Sequence, residues 1–134
     1  MKKISIIGMG YVGTAMATLV ASTKKKLNYQ YFVTGIEQQN KNGKEIAKKI
    51  NSGILPFEIT DLNFKKKFLY ASKIKKNLVC SNSIKDIKGS KIVIVSINCD
   101  LESKTKSTVN LNSFLNSIES VLFNIDKDSL LIVE

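Results

Sequence analysis

The chain contains no histidine and no arginine, one proline and two cysteines among its 134 residues. Without histidine, the commonest general base and metal ligand are both missing, and neither a Ser-His-Asp nor a Cys-His mechanism can operate within these residues. The two cysteines, Cys80 and Cys99, lack the close spacing of a zinc site and read as buried or half-buried thiols of a reducing compartment. No apolar run approaches the roughly 18 residues a membrane span needs. Met1-Lys2-Lys3 resembles the start of a signal peptide, but Gly8, Gly10 and Gly13 break the apolar stretch behind it, and no cleavage site follows. A cytoplasmic protein with no membrane partner is expected. All 21 basic residues are lysine against 11 acids, a net charge of +10. Such a field attracts polyanions. The lysines, however, come in scattered pairs and triplets, Lys24 to Lys26, Lys48-Lys49, Lys65 to Lys67 and Lys75-Lys76. Arginine, the usual reader of guanine edges, is absent, so a solvated lysine surface is favoured over a nucleic-acid site.

What is present has an alternating character. Residues 3 to 7 form a short apolar strand, and a helix follows through Ala15, Met16, Leu19 and Val20 with Lys24 to Lys26 at its carboxyl end. Residues 30 to 36 are a second strand, rich in aromatic and β-branched types. Residues 40 to 51 read as a helix with Ile46, Ala47 and Ile50 on one face, and Pro56 marks a loop. A further helix is expected over 61 to 73, capped by Thr60 or Asp61, with Leu62, Phe64, Phe68 and Leu69 as its apolar contacts. Strands are expected at 77 to 80, 91 to 97 and 129 to 134. A helical turn fills 83 to 88, and a helix starts at Asn110 or Asn112 and runs to about Phe123. Residues 100 to 109 read as polar and flexible. The run Ile92-Val93-Ile94-Val95 is apolar on both faces, as a central parallel strand is. Together these predict a single α/β domain over 1–134, a Rossmann-like, doubly wound parallel sheet of about five strands in the order 3-2-1-4-5. An apolar last strand at the sheet edge invites pairing with another chain, and suggests a fragment of something longer.

Gly8-Met9-Gly10-Tyr11-Val12-Gly13 carries the chemistry. It follows a strand, opens a helix and starts a βαβ unit, the context that makes G-x-G-x-x-G a dinucleotide-binding signal. Gly8 serves the tight turn, Gly10 the close approach of a pyrophosphate, and Gly13 the packing of helix on sheet. The helix amino terminus offers unpaired N–H groups and a positive dipole end to phosphate. Glu37 lies 24 residues beyond Gly13, at the end of the second strand. A carboxylate there accepts hydrogen bonds from ribose hydroxyls and repels a 2′-phosphate, which favours NAD over NADP, although Lys41 and Lys44 nearby soften that preference.

At these residues the sequence resembles the UDP-glucose/GDP-mannose dehydrogenase family. The opening Ile4 to Gly13, with Tyr-Val inside the glycine motif, is similar to that family's start. Gly35-Ile36-Glu37 resembles its Gly-Ile-Asp, while Asn51-Ser52-Gly53 and Pro56-Phe57-Glu58 resemble its Asn-x-Gly and Pro-x-x-Glu segments. The resemblance runs through the whole chain but covers only the family's amino-terminal domain, without the central dimerisation and carboxyl-terminal substrate domains. It implies NAD as cofactor and, in a full-length enzyme, oxidation of the C6 alcohol of a nucleotide sugar to a carboxylate through a cysteine thiohemiacetal. The glycine-rich nucleophile motif has no counterpart at Cys80 or Cys99, so this chain alone is expected to bind NAD without turnover. Ser96-Ile97-Asn98-Cys99 stands where the family has Thr-Pro, and Ser81-Asn82-Ser83 where it has Thr-x-Asp. Ser96, Ile97 and Asn98 are still expected to contact the cofactor. Three other readings compete. A β-hydroxyacid dehydrogenase domain fits Met16-Ala17 but often carries an arginine after the second strand. A basic polyanion-binding module explains the charge and leaves the glycines idle. A degenerate remnant would bind nothing.

Overall fold

A computed structural model describes residues 1–98 and 111–134, and the backbone of 101–103 and 106–109. Five parallel strands form the central sheet. They are β1 (Lys2–Ile7), β2 (Tyr31–Ile36), β3 (Leu78–Ser81), β4 (Ile92–Val95) and β5 (Leu130–Val133). Their spatial order is β3-β2-β1-β4-β5, the expected 3-2-1-4-5. The register runs Lys2 opposite Tyr31 to Ile7 opposite Ile36 between β1 and β2, and Ile4 opposite Ile92 to Ile7 opposite Val95 between β1 and β4. The strand order reverses direction at β1, so a crevice opens at the carboxyl ends of β1, β2 and β4.

Side chains of β1 alternate between two cores, and this alternation makes the sheet doubly wound. Ile4 and Ile6 join Val33, Leu78, Ala17, Ala21, Ile50 and Phe68 on one face, beneath α1 (Tyr11–Ser22), α2 (Lys41–Asn51) and α3 (Leu62–Leu69). Ile7 joins Ile36, Ile87, Val93, Val95 and Val121 on the other, beneath a 3-10 turn (Ile84–Ile87) and α4 (Asn112–Asn124). The buried face of α1 is made of small residues, Gly13, Thr14, Ala17, Thr18 and Ala21, which lets its axis lie close to β2.

Two side-chain amides, a buried one at Asn77 and an exposed one at Asn51, lock elements together. Asn77 Nδ2 donates to the carbonyl oxygens of Ala21 (2.7 Å) and Tyr31 (3.0 Å), tying the end of α1 to the starts of β2 and β3. Asn51 closes a two-way bond with Cys80 at the outer edge of β3. Its Nδ2 donates to the Cys80 carbonyl and its Oδ1 accepts from the Cys80 N–H, both at 2.8 Å. The side-chain amide thus takes the place of a neighbouring strand's peptide group and covers an edge that would otherwise be open.

Several local expectations are corrected. Helix α1 ends at Ser22, with Thr23 as its C-cap, and Lys24–Lys25 pair with Asn28–Tyr29 as a short antiparallel ribbon rather than lying in a helical last turn. Asp61, not Thr60, caps α3 by accepting from the N–H groups of Asn63 and Phe64. That helix keeps α geometry only to Leu69 and continues as a π turn over Tyr70–Ile74. Phe68 is buried and Phe64 packs beside the core, but Leu62 is 69% and Leu69 42% exposed, because the helix turns those positions outward. Residues 100 to 109, read as flexible, include an antiparallel strand pair, Leu101–Ser103 with Lys106–Val109, in line with the strand propensity of Ser107-Thr108-Val109. Asn112 opens α4; Asn110 and Cys99 lie outside the described residues. Strand β5 hydrogen-bonds β4 along one side and forms a sheet edge, with Leu130, Ile132 and Val133 exposed. Among the described residues no helix is long and apolar enough to cross a membrane.

Candidate functional site

The turn from β1 into α1 is built around contacts that leave no room for side chains. Gly8 has φ +90°, and a Cβ there would overlap the Ser96 carbonyl oxygen and stand 3.1 Å from its carbon. A Cβ on Gly13 would overlap the Gly8 carbonyl oxygen and stand 3.0 Å from its carbon. Gly10 differs, since nothing lies within 4 Å of where its Cβ would be. Its missing side chain therefore serves no protein contact and leaves open space above the helix end. Thr14 Oγ1 staples the turn from behind by donating to the Met9 carbonyl at 2.8 Å.

Helix α1 begins at that opening without a side-chain cap, and its first turn carries no acid. Asn40 caps α2 and Asp61 caps α3, each accepting backbone N–H bonds at those helix ends. The first N–H groups of α1 are thus available to an external acceptor, and the helix dipole makes an anion the favoured one.

Glu37 is drawn in by the same turn. Its Oε1 accepts from the Met9 N–H at 2.5 Å and its Oε2 from the Gln38 N–H at 3.2 Å. Its own N–H donates to the Ser81 carbonyl at 2.9 Å. A carboxylate has about four lone-pair positions. Two are used here to hold the side chain still, and the others remain for a ligand.

These groups surround a cleft of about 420 Å³. Nine of the ten residues expected at the site line it: Gly8, Gly10, Tyr11, Val12, Gly13, Glu37, Ser96, Ile97 and Asn98. Met9 does not. Its side chain is fully buried beneath Gly35, where a Cβ would come within 2.7 Å of Met9 Cγ, so only its backbone takes part in the turn. The apolar character of Met9 was the available signal that it belongs to the core.

The sequence reading missed Gln38, Gln39, Ile84, Ser117 and Ser120 on the lining, and had given Asn82 no role there. Asn82 Nδ2 donates to the Gln38 carbonyl at 2.8 Å, joining the loop after β3 to the loop after β2. Ser117 and Ser120 come from α4, about eighty residues beyond Glu37, and no local motif marks them. The structure also unites two separately noted motifs, since the Tyr11 ring meets Phe57 at 4.6 Å between centroids.

Cys80 sits outside the cleft lining. Burial first, and the nearby Glu37 carboxylate second, push its thiol up to about 12. It is unpaired, protonated at neutral pH and unsuited to nucleophilic work.

A parallel doubly wound sheet with an uncapped, glycine-opened helix end and a carboxylate at the tip of the neighbouring strand defines a Rossmann dinucleotide-binding domain. Comparison with known proteins makes the assignment specific. The model of the UDP-glucose/GDP-mannose dehydrogenase family, NAD binding domain, matches residues 2–134, and the chain belongs to that family as its NAD-binding domain. Its cofactor is NAD.

No curated protein matches the sequence. Among solved structures, the chain is similar to an NDP-N-acetyl-D-galactosaminuronic acid dehydrogenase from Methanosarcina mazei Go1. That match has a TM-score of 0.86 and 20% identity, and covers 99% of this chain and 27% of the other. A UDP-D-ManNAc dehydrogenase from Pyrococcus horikoshii matches with TM-score 0.76 and 26% identity, over 98% of this chain and 28% of that one. A ternary complex of GDP-mannose dehydrogenase from Pseudomonas aeruginosa matches with TM-score 0.74 and 19% identity, over 97% and 27%. The chain therefore spans little more than a quarter of the length of the enzymes it resembles.

Proposed function

We propose that this chain supplies the NAD-holding domain of a nucleotide-sugar 6-dehydrogenase, an oxidoreductase that converts the C6 alcohol of a UDP- or GDP-sugar to a uronate. The observation that carries the reading is the pairing of the open, uncapped α1 terminus at Gly10 with Glu37 fixed at 2.5 Å from the Met9 N–H. Backbone N–H groups of residues 10 to 13 receive the pyrophosphate. Glu37 accepts from the adenosine ribose hydroxyls with the lone pairs its backbone contacts leave free. Its charge repels a 2′-phosphate, so NAD binds ahead of NADP. Ser96, Ile97 and Asn98 border the cofactor on the β4 side, and Ile84 and Asn82 on the β3 side. Bound NAD supplies the hydride acceptor.

The nucleotide sugar is a partner of the whole enzyme. The protonated, buried Cys80 offers no nucleophile for the chemistry, and the 134 residues bind cofactor without turning over sugar. Self-association along the edge of β5 belongs to the same proposal, supported by the exposure of Leu130, Ile132 and Val133. A cytoplasmic location suits an unpaired thiol and a diffusible cofactor.

Calorimetric titration tests the reading. NAD is expected to bind in the micromolar to millimolar range, with NADP weaker. Equal affinity for the two, or binding of neither, refutes the role given to Glu37 or to the α1 terminus.

A further inference from the structure

The positive charge of this protein is not spread evenly. Residues 1–36 contain five lysines and no acid, and residues 62–85 contain seven lysines and no acid. Lys2 and Lys3 open β1, Lys24 to Lys26 lie just ahead of β2, and Lys73, Lys75 and Lys76 lie just ahead of β3, so these lysines stand at the amino ends of the three strands, the end of the sheet opposite the cleft. There the ribbon Lys24–Lys25/Asn28–Tyr29 meets the π turn Tyr70–Ile74. The Tyr29 and Tyr70 rings stack at 5.8 Å between centroids, Lys24 Nζ stands 4.4 Å from the Tyr29 centroid, and Lys75 Nζ stands 5.7 Å from it. Lys24, Lys25, Lys26, Lys73, Lys75 and Lys76 are all exposed.

Apolar groups stand among these cations. Leu27, at the ribbon's tip, is 88% exposed, and Ile74, between Lys73 and Lys75, is 64% exposed. The backbone is bent to present them. Among the described residues, the two with positive φ that are not glycine are Lys26 (57°) and Lys76 (55°), one in each half of the patch. Residues other than glycine, asparagine and aspartate seldom adopt that conformation.

We propose that this lysine-ringed face, with Leu27 at its tip, docks the protein on an anionic lipid surface. Exposed ammonium groups are drawn to acidic headgroups, and an apolar tip among them enters the boundary between headgroups and acyl chains. A nucleic acid fits the patch less well. The ring of Tyr29 is already engaged by Tyr70 and two ammonium groups, and no arginine is present. The cleft lies at the other end of the strands, so docking leaves it open to NAD. The expectation of no membrane partner rested on the lack of a spanning segment; that no helix among the described residues is long and apolar enough to cross a membrane bears on crossing one and not on resting against it.

Cosedimentation with vesicles tests this. The purified protein is mixed with vesicles of phosphatidylcholine alone, and with vesicles in which about one lipid in four is phosphatidylglycerol. Partition onto the anionic vesicles only is expected, weakening as salt rises. Each patch lysine contributes about fivefold, so Lys24→Gln, Lys75→Gln and Lys76→Gln together lower partition about a hundredfold. A control triple of the same charge, Lys48→Gln on α2, Lys85→Gln in the 3-10 turn and Lys127→Gln ahead of β5, is expected to stay within about threefold of the wild type, because none of the three belongs to the ribbon or to the π turn. Leu27→Ser, at an exposed position and without a charge change, is expected to lower partition by about tenfold. NADH fluorescence on binding reports that each variant is folded. No partition onto anionic vesicles at low salt overturns the proposal. So does an equal loss in the two triples, which would mean diffuse attraction, or an unchanged partition of Leu27→Ser. Tighter binding to a single-stranded oligonucleotide, indifferent to Leu27→Ser, assigns the patch to nucleic acid instead.

Discussion

Gly10 and Gly13 stand three residues apart in one motif, yet the structure gives them opposite duties, and paired substitutions separate the two. At Gly10 the backbone is extended (φ −68°, ψ −160°), which any residue adopts, and the Cβ position is open. Gly10→Val loses a little as a helix N-cap and gains a little through a less flexible unfolded chain, so stability shifts by less than about 1 kcal/mol. For a domain of this size that is within about 4 °C in Tm. Binding is another matter. The valine side chain fills the space in front of the first N–H groups of α1. Losing two charge-assisted hydrogen bonds, each about 1.5 to 3 kcal/mol, weakens NAD by roughly two to four orders of magnitude. At Gly13 the added methyl of alanine overlaps the Gly8 carbonyl, a backbone group that cannot step aside without moving α1 off β1. The overpacking outweighs alanine's helix propensity, for a net loss of about 2 kcal/mol and about 8 °C. Thermal melts and NAD titrations of both variants decide the matter. NAD affinity in Gly10→Val within threefold of wild type, or a Gly13→Ala melt unchanged from wild type, refutes the reasoning.

Glu37→Ala removes the acceptor for the Met9 N–H as well as the proposed ribose partner, so NAD affinity is expected to fall about tenfold or more while the NAD/NADP ratio narrows. Competitive titrations with the two cofactors read both effects, and an unchanged ratio contradicts the assigned role. Asn51→Ala leaves the N–H and carbonyl of Cys80 without their partner at the sheet edge, a loss of about 2 kcal/mol visible in urea unfolding; a null effect means that water replaces the amide at no cost. The raised Cys80 thiol makes stability pH-dependent on the alkaline side. Its folded value is about 12 against an ordinary 9.0, so the thiol's contribution is fully present below pH 9 and declines as pH rises toward 12. The unfolded chain gives up the proton first, and the slope is about 1.4 kcal/mol per pH unit. Cys80→Ala is expected to remove that slope in melts taken between pH 9 and 11.

Much of the fold was legible because its signals are local. The five strands announce themselves by short β-branched runs, the glycine motif by its place between strand and helix, and Glu37 by its distance from Gly13. The parallel order 3-2-1-4-5 follows from alternation of strands and helices together with right-handed crossovers. Where the reading failed, a nonlocal choice intervened. Lys24 to Lys26 suit a helix end, but in the structure they belong to a ribbon whose Tyr29 stacks on the distant Tyr70. Leu62 and Leu69 look like core residues until the position of α3 on the sheet turns them to solvent.

By itself, the sequence determined the form of the first strand-to-helix turn, the place proposed for the dinucleotide. That outcome depends on backbone geometry within one βαβ unit, which glycine placement controls directly. Only the tertiary structure decided what completes the cleft and what faces away from it. Ser117 and Ser120 reach the cleft because α4 packs on the far face of the sheet, and Met9 leaves it because Gly35 opens a hole beneath. The lysines gather at one end because Lys24 to Lys26 and Lys73 to Lys76, some fifty residues apart in the chain, lead into the amino ends of the neighbouring strands β2 and β3. Residues distant in sequence become neighbours through the parallel pairing of β1, β2 and β3, and side-chain periodicity within any one segment carries no record of that pairing.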